Sequence, residues 1–343
     1  MTPFINWAGS RVKDLRVIHP LIPKDIETFI DPFVGDGACF LEVEAKNYVL
    51  ADKNQDLMDC WRTVQTSGPR FRALLAELGH VWQRCDAAFE LIRDGLIEIK
   101  NSVDSGLFSD YPAKVNAVIR VVDKIEYDDV FGMSFSEPME FQIELRHQMV
   151  CALERMDPFT DKDLAESAFY TAFKAAVFKY LVEVYNKPES KNALRSAFLI
   201  FLMEYAWNGR FVAEGNEFRP EYGGKHVNNR TINLRENQAI CEELVAKLEK
   251  TRFFCQDIFR SLGFPFAKDS GSFLFLDIPS KSSKDLSQTG RKRLASFLRS
   301  GTKARWMAIC DPNDIIVDSL LFEEPKMISH AIPLGKEIII MNY

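Results

Sequence analysis

The loop Asp31-Pro32-Phe33-Val34-Gly35-Asp36-Gly37 carries the strongest chemical signal in this chain. Two glycines at a spacing of two, directly after the apolar run Thr28-Phe29-Ile30, let the backbone approach a ligand closely. The segment after them opens a helix, whose first N–H groups have no partner within the helix. Fifteen residues beyond Gly37 stands Asp52, at the end of a second apolar run, Tyr48-Val49-Leu50-Ala51. An acid at that place accepts hydrogen bonds from ribose hydroxyls in nucleotide-binding α/β folds. Together the loop and Asp52 point to an adenosine-containing small molecule, without saying which one.

These residues need a strand–loop–helix–strand unit to hold them. The pattern predicts strands at Thr28-Phe29-Ile30 and Tyr48-Val49-Leu50-Ala51 with a short helix from Ala38 to Ala45 between them, the alternation of an α/β unit with parallel strands. Further strands are predicted at Arg252–Cys255, Ser272–Leu276, Trp306–Ile309 and Glu337–Met341, and a long helix over Lys191–Trp207, ending at Asn208-Gly209. From Asp86 to Ala175 the pattern is mostly helical, with breaks near Ser109-Asp110-Tyr111-Pro112 and Met156-Asp157-Pro158.

Composition narrows the class. At 343 residues, 47% of them hydrophobic, the chain has material for a sizeable core in two domains or one elaborated domain, which excludes disorder over most of its length. The start, Met1-Thr2-Pro3-Phe4, has no secretory pattern, and the longest apolar stretch, Ser196–Trp207, is interrupted by Glu204. The expectation is therefore a cytoplasmic protein with no membrane segment. The seven cysteines are scattered, with no close pair and no histidine at ligand spacing, so no metal site is expected and the thiols read as buried and reduced. A net charge of −6 disfavours a nucleic-acid role until its distribution is considered. Between Cys85 and Ala175 stand eighteen acidic and nine basic residues, a net of −9, so the rest of the chain carries +3. An acidic insert sits in a mildly basic protein. The run Arg291, Lys292, Arg293, Arg299, Lys303, Arg305, flanking Leu294, Phe297 and Leu298, reads as the solvated face of an amphipathic helix, with phosphate contact the less favoured alternative.

With these segments in view, the chain resembles the Dam-type DNA adenine N6-methyltransferases. Pro3-Phe4-Ile5-Asn6-Trp7-Ala8-Gly9-Ser10-Arg11 is similar to that family's P-F-x-K-W-A-G-G-K, the glycine loop to its D-P-F-V-G-x-G, and Leu50-Ala51-Asp52-Lys53-Asn54 to its ribose-binding strand end. Tyr185–Gly209 with Gly215-Asn216-Glu217-Phe218-Arg219-Pro220 resembles the DNA-recognition segment. Phe253–Phe259 resembles the strand whose acid meets the cofactor adenine, and Lys336–Tyr343 the closing E-x-x-I-x-N-Y. The segments follow the family's order and leave out only the acidic insert.

The resemblance implies an α/β fold, a Rossmann-like methyltransferase sheet with an inserted, mainly helical recognition domain. The core would comprise residues 1–57 and 251–343, and the helical domain residues 58–250, with the acidic insert at about 85–175. It implies S-adenosylmethionine as cofactor, held by Trp7, Ala8, Gly9, Arg11, Asp31, Pro32, Phe33, Gly35, Gly37, Asp52, Asp257 and Ile258, and DNA contacts from Asn208, Gly209, Arg210 and Arg219. The catalytic segment would be Asp277-Ile278-Pro279-Ser280, where the family has D-P-P-Y. The chemistry of that motif is specific. The exocyclic amine of adenine is a weak nucleophile because its lone pair is delocalised, so a carboxylate and a neighbouring carbonyl accept its two protons and localise it. An aromatic side chain stacks on the base, which has first been flipped out of the duplex. Asp277 and the Ile278 carbonyl supply the acceptors, but Ser280 cannot stack, and with Ile278 in place of the first proline the backbone that follows is freer. Recognition positions differ too: Leu202-Met203-Glu204 stands where the family has L-N-R, which puts an acid near the expected phosphate path.

The implied function is S-adenosylmethionine-dependent methylation of the N6 amine of adenine in double-stranded DNA, slowed by the altered motif. A silent, cofactor-binding relative serving as a binding, inhibitory or assembly subunit stands as the alternative, and transfer to a different nucleic-acid acceptor as a third. The insert is expected to face a protein partner, to mediate self-association, or to cover the cleft as a brake.

Overall fold

The computed structural model describes all residues except 67, 108–109, 132–137, 158–159, 188–192, 216, 233–234, 236–238, 240, 281–285 and 323–327. The chain divides into two compact units, one of Met1–Pro3, Gly9–Thr66 and Gln238–Tyr343, the other of Phe4–Ala8 and Ser67–Asn237. Its strands in chain order are β1 (Thr28–Asp31), β2 (Asn47–Asp52), β3 (Ala213–Glu214), β4 (Glu217–Phe218), β5 (Thr251–Cys255), β6 (Ser272–Asp277), β7 (Arg305–Cys310), β8 (His330–Leu334) and β9 (Glu337–Met341).

The first unit is built on a seven-stranded sheet of order β5-β2-β1-β6-β7-β9-β8. Strands β5, β2, β1, β6 and β7 are parallel, β9 runs antiparallel to β7, and β8 antiparallel to β9. A parallel sheet is covered on both faces, which explains why β6 and β7 read as unbroken apolar runs. Leu274, Leu276, Trp306 and Ala308 lie in one cluster with Leu294 and Leu298 of the following helix and with Leu320. All the later strands expected from the pattern are present. Strand β8 was not foreseen because its sequence, His-Ala-Ile-Pro-Leu, is mostly exposed and contains Pro333, which only an edge strand tolerates. Gly335, at φ 61°, makes the two-residue turn into β9. The helix expected from Ala38 to Ala45 ends at Glu42. There Val43 becomes extended, and its carbonyl, with that of Leu41, accepts from the buried ammonium of Lys247.

The second unit is helical, with long helices at Pro69–Asp104, Pro138–Glu154, Lys162–Asn186 and Ala193–Tyr205 and a β3–β4 hairpin. The acidic insert is part of this unit's core. Phe141, Leu145, Met149, Phe169 and Phe173 are fully buried. Many of its acids are locally committed. Asp110 and Asp161 cap helix N-termini, where a carboxylate meets unpaired N–H groups. Others pair with cations, Asp86 with Lys174, Asp123 with Arg146 and Glu140 with Lys187. The insert is thus not a detachable acidic flap. Among the described residues, no helix is long and apolar enough to cross a membrane.

Candidate active site at the carboxyl end of the sheet

In the parallel sheet, β1 is followed outward on one side by β2 and β5, while the strands on its other side, β6 and β7, come from the far end of the sequence. The strand order reverses between β1 and β6, and the crevice beyond the carboxyl ends of strands at such a point is where open α/β sheets bind ligands. Three adjacent strands each end there on an acid: Asp52 on β2, Asp31 on β1 and Asp277 on β6.

The loop after β1 is fixed by short-range bonds. The Phe33 N–H donates to Asp31 Oδ1 at 3.0 Å, the Ala38 N–H to Asp36 Oδ1 at 3.1 Å, and the Val34 N–H to the Ala51 carbonyl at 3.1 Å, which fastens the loop to β2. Glycine is required twice. Gly35 and Gly37 both lie in the left-handed region, at φ 50° and 71°. A Cβ on Gly37 would also meet the Trp61 ring at 2.7 Å, and that indole donates to the Gly35 carbonyl at 3.2 Å. Asp52 Oδ1 accepts from the Asn54 N–H, while Asn54 Oδ1 accepts from the Leu57 N–H at the start of the Gln55–Thr66 helix. Asp257 caps the short helix Ile258–Ser261 through Oδ1, and Ile258 is buried in the sheet's core. Pro32 is buried in the loop and Gly9 is exposed; Trp7 and Ala8 belong to the helical unit.

The end of β6 is organised by distant residues. The Arg11 guanidinium forks onto Asp277, Nε to Oδ2 at 2.8 Å and Nη2 to Oδ1 at 2.5 Å, and it also pairs with Glu337 and Asp14. Bidentate pairing is the strong geometry for this ion pair, and it leaves further acceptor capacity on each carboxylate oxygen. The Ile278 N–H donates to the Ile309 carbonyl at 2.9 Å, continuing the β6–β7 ladder by one step. Arg291 donates through Nη2 to the carbonyls of Pro279 at 2.6 Å and Ser280 at 2.9 Å. Its Nη1 pairs with Asp314. The backbone after Ile278, expected to be freer for want of the motif's first proline, thus has two of its carbonyls bonded to a buried guanidinium. Arg291 is 4% exposed, so it does not belong to the solvated face assigned to its helix. Positions 291, 294, 295 and 298 share the apolar stripe, and that spacing was the signal available in the sequence.

The electrostatics follow from burial. Asp31 is 2% exposed, and burial pushes its carboxyl well above the usual carboxylate range against the lowering hydrogen bond from Phe33, with Asp277, Asp52 and Asp36 adding to the rise. Burial also raises Asp277, and the Arg11 hydrogen bond and charge pull it back towards ionisation.

In the helical unit, the residues assigned to DNA surround a sharp turn. Asn208 and Gly209 adopt left-handed φ values of 52° and 59°. Gly209 is packed against Asn6, and its carbonyl accepts from the Ala8 N–H at 2.8 Å. Asn208 and Arg210 are exposed. Arg219, after the hairpin, is engaged by Glu183 and Glu217. Glu204 does not stand on an exposed phosphate path: it is 8% exposed and paired with Arg235 at 2.8 Å and Arg230 at 3.7 Å. Two guanidiniums neutralise it inside the unit, which a linear reading cannot show. The sequence reading also missed Glu337 and Asp314, whose partners Arg11 and Arg291 are distant in sequence, Asp14, which pairs with Arg11 three residues earlier, and the buried role of Arg291.

Parts of the chain are similar to known proteins. Residues 7–129 match the family described as D12 class N6 adenine-specific DNA methyltransferase. The chain is 27% identical over 138 residues to the type II methyltransferase M1.LlaDCHI of Lactococcus lactis subsp. cremoris, covering 38% of this chain and 48% of that protein. It is 28% identical over 170 residues to the modification methylase StsI of Streptococcus sanguinis, covering 48% of this chain and 26% of that one. It is 39% identical over 62 residues to the DNA adenine methylase of Escherichia coli (strain K12), covering 18% and 22%. The chain thus spans about half or less of the length of these curated relatives. The family match contains the glycine loop and Asp52 but stops before β6. The mostly parallel seven-stranded sheet is of the Rossmann-like methyltransferase type, and over residues 7–129 the chain is similar to the D12 class N6 adenine-specific DNA methyltransferases.

Proposed function

We propose that the protein transfers a methyl group from S-adenosylmethionine to the N6 amine of adenine in double-stranded DNA. The observation that carries this reading is the position of Asp277, whose carboxylate ends the strand next to the glycine loop at the point where strand order reverses. The residues there suit the cofactor. Asp52 supplies a carboxylate for a ribose diol, Gly35 and Gly37 keep the loop free of Cβ atoms, and Phe33 is a half-buried apolar neighbour. Trp7, Ala8, Gly9, Arg11, Pro32, Asp257 and Ile258 complete the proposed cofactor set, and Asn208, Gly209, Arg210 and Arg219 the proposed DNA contacts. When bound, S-adenosylmethionine supplies an electrophilic sulfonium methyl. The chain's part is to make the amine a nucleophile. Asp277, whose ionised form Arg11 favours against burial, accepts one amine proton and the Ile278 carbonyl accepts the other, so charge developing on the nitrogen meets fixed dipoles. With Ser280 in place of a stacking ring, the base loses about 1–3 kcal/mol of hold, which makes the reaction slow without removing its acceptors.

The test is tritiated methyl transfer to adenine-rich duplex DNA, with mass analysis of nucleosides from cells expressing the protein. New N6-methyladenine supports the reading. No transfer by the wild type and none by the double variant Ile278→Pro, Ser280→Tyr replaces it with the silent, cofactor-binding reading, and methylated RNA or another base replaces the acceptor. Self-association or a protein partner through the insert is proposed as well. It is supported by exposed apolar side chains there, Leu107 at 75% and Met139 at 71%. Light scattering of the wild type against Leu107→Glu, Met139→Glu checks the self-association.

A further inference from the structure

We infer that Arg291, with its counter-ion Asp314, is the positioning residue of the catalytic segment Asp277-Ile278-Pro279-Ser280, aiming the Ile278 carbonyl at the substrate amine. This rests on the methyltransferase reading of that segment, but its structural part can be tested alone. The reasoning starts from cost. A guanidinium with a side chain 5% exposed, facing a carboxylate 1% exposed, is expensive to desolvate, and replacing such a pair by apolar groups is often neutral or stabilising. A pair of this kind needs a use that packing does not supply. Here it has one. Asp314 spends Oδ1 on the Ile316 N–H and Oδ2 on Arg291 Nη1, so the guanidinium is held from behind. Its Nη2 then donates to two consecutive carbonyls, those of Pro279 and Ser280.

Those bonds fix the peptide planes after Ile278. On the other side, the Ile278 N–H is held by the Ile309 carbonyl of β7, and the Pro279 ring disfavours helical backbone at Ile278. The Ile278 carbonyl therefore lies between two anchored points. An acceptor that does not have to reorganise when charge develops is what electrostatic catalysis requires. Arg291 touches neither base nor cofactor in this scheme and acts through the backbone it holds.

The decisive variant is the double change Arg291→Met, Asp314→Asn. It leaves no buried charge unpaired, and the new side-chain amide at position 314 retains an oxygen for the Ile316 N–H, so the fold is kept while both carbonyl bonds are lost. The expected result by hydrogen-exchange mass spectrometry is at least tenfold faster exchange at the Ile278 and Ser280 amides, with β1 and β7 unchanged. S-adenosylmethionine affinity by calorimetry stays within twofold, and kcat for methyl transfer falls at least tenfold with KM for the cofactor unchanged. Arg291→Lys, which keeps the charge and one donor direction, recovers part of both effects. Unchanged exchange at Ile278 and Ser280, or equal loosening of β1 and β7, overturns the proposal and leaves the pair as core packing. Loss of kcat and of cofactor affinity together overturns it as well. Absent turnover in the wild type strikes at the methyltransferase reading instead, and the exchange contrast then still decides whether Arg291 holds the segment.

Discussion

The loop after β1 and the end of β6 lie on neighbouring strands and are built in opposite ways. In the loop the Asp31 and Asp36 side chains, and beside it Asp52 at the end of β2, each accept from an N–H two residues on, and glycine supplies the conformations the turn demands. At the end of β6 the main constraints come from farther along the chain: Arg11 is 266 residues from Asp277, Glu337 is 326 from Arg11, and Asp314 is 23 from Arg291. A locally encoded structure survives drift elsewhere in the chain, and the loop retains its D-P-F-V-G-x-G pattern. A structure encoded by distant partners can change its own residues if those partners compensate.

The comparison can be broken most forcefully at Asp277. Asp277→Ala leaves Arg11 paired with Glu337 and Asp14, so the fold should stand while methyl transfer falls by about 10²–10³-fold, the usual effect of removing one preorganised partner of developing charge. Transfer at the wild-type rate would remove the β6 end from the chemistry. On the loop side, Asp52→Ala should weaken S-adenosylmethionine binding by about 1–3 kcal/mol in calorimetry, the cost of unpairing a polar partner. No change there would make the acid a mere turn residue that holds Asn54.

Acidity separates the regions more finely. Since burial raises Asp277 and Arg11 lowers it, Arg11→Met leaves the rise unopposed. The acid limb of the pH–rate profile should then move to higher pH, and an unmoved limb would show that another group sets it. The smallest effect is expected at Asp31. Its folded value lies above the unfolded one, so the native state binds the extra proton, and stability is lost as pH rises through and above the unfolded value of about 3.9. Asp31→Asn keeps an oxygen for the Phe33 N–H and removes the charge. Its Tm should exceed the wild type's by a few degrees at neutral pH, with the gap closing towards pH 3. A gap that does not depend on pH would show that Asp31 is not destabilised by its charge.

Residue types and spacing alone determined the parallel strands, because strands covered on both faces must be apolar throughout. They determined the loop as well, since left-handed backbone selects glycine and Asx turns use acids two residues from their donors. The order of family segments was equally readable, and it located Asp277. Only the tertiary structure decided the surroundings of that acid. Whether Arg291 is a surface cation or a buried clamp depends on what packs against its helix, and whether Glu204 faces a ligand or two arginines depends on Arg230 and Arg235. That the acidic insert belongs to the helical unit's core was hidden for the same reason, because caps and ion pairs neutralise charge without changing composition. Charge is a property of the residue, but its effect is set by burial and by partners, and those are fixed only when distant segments meet.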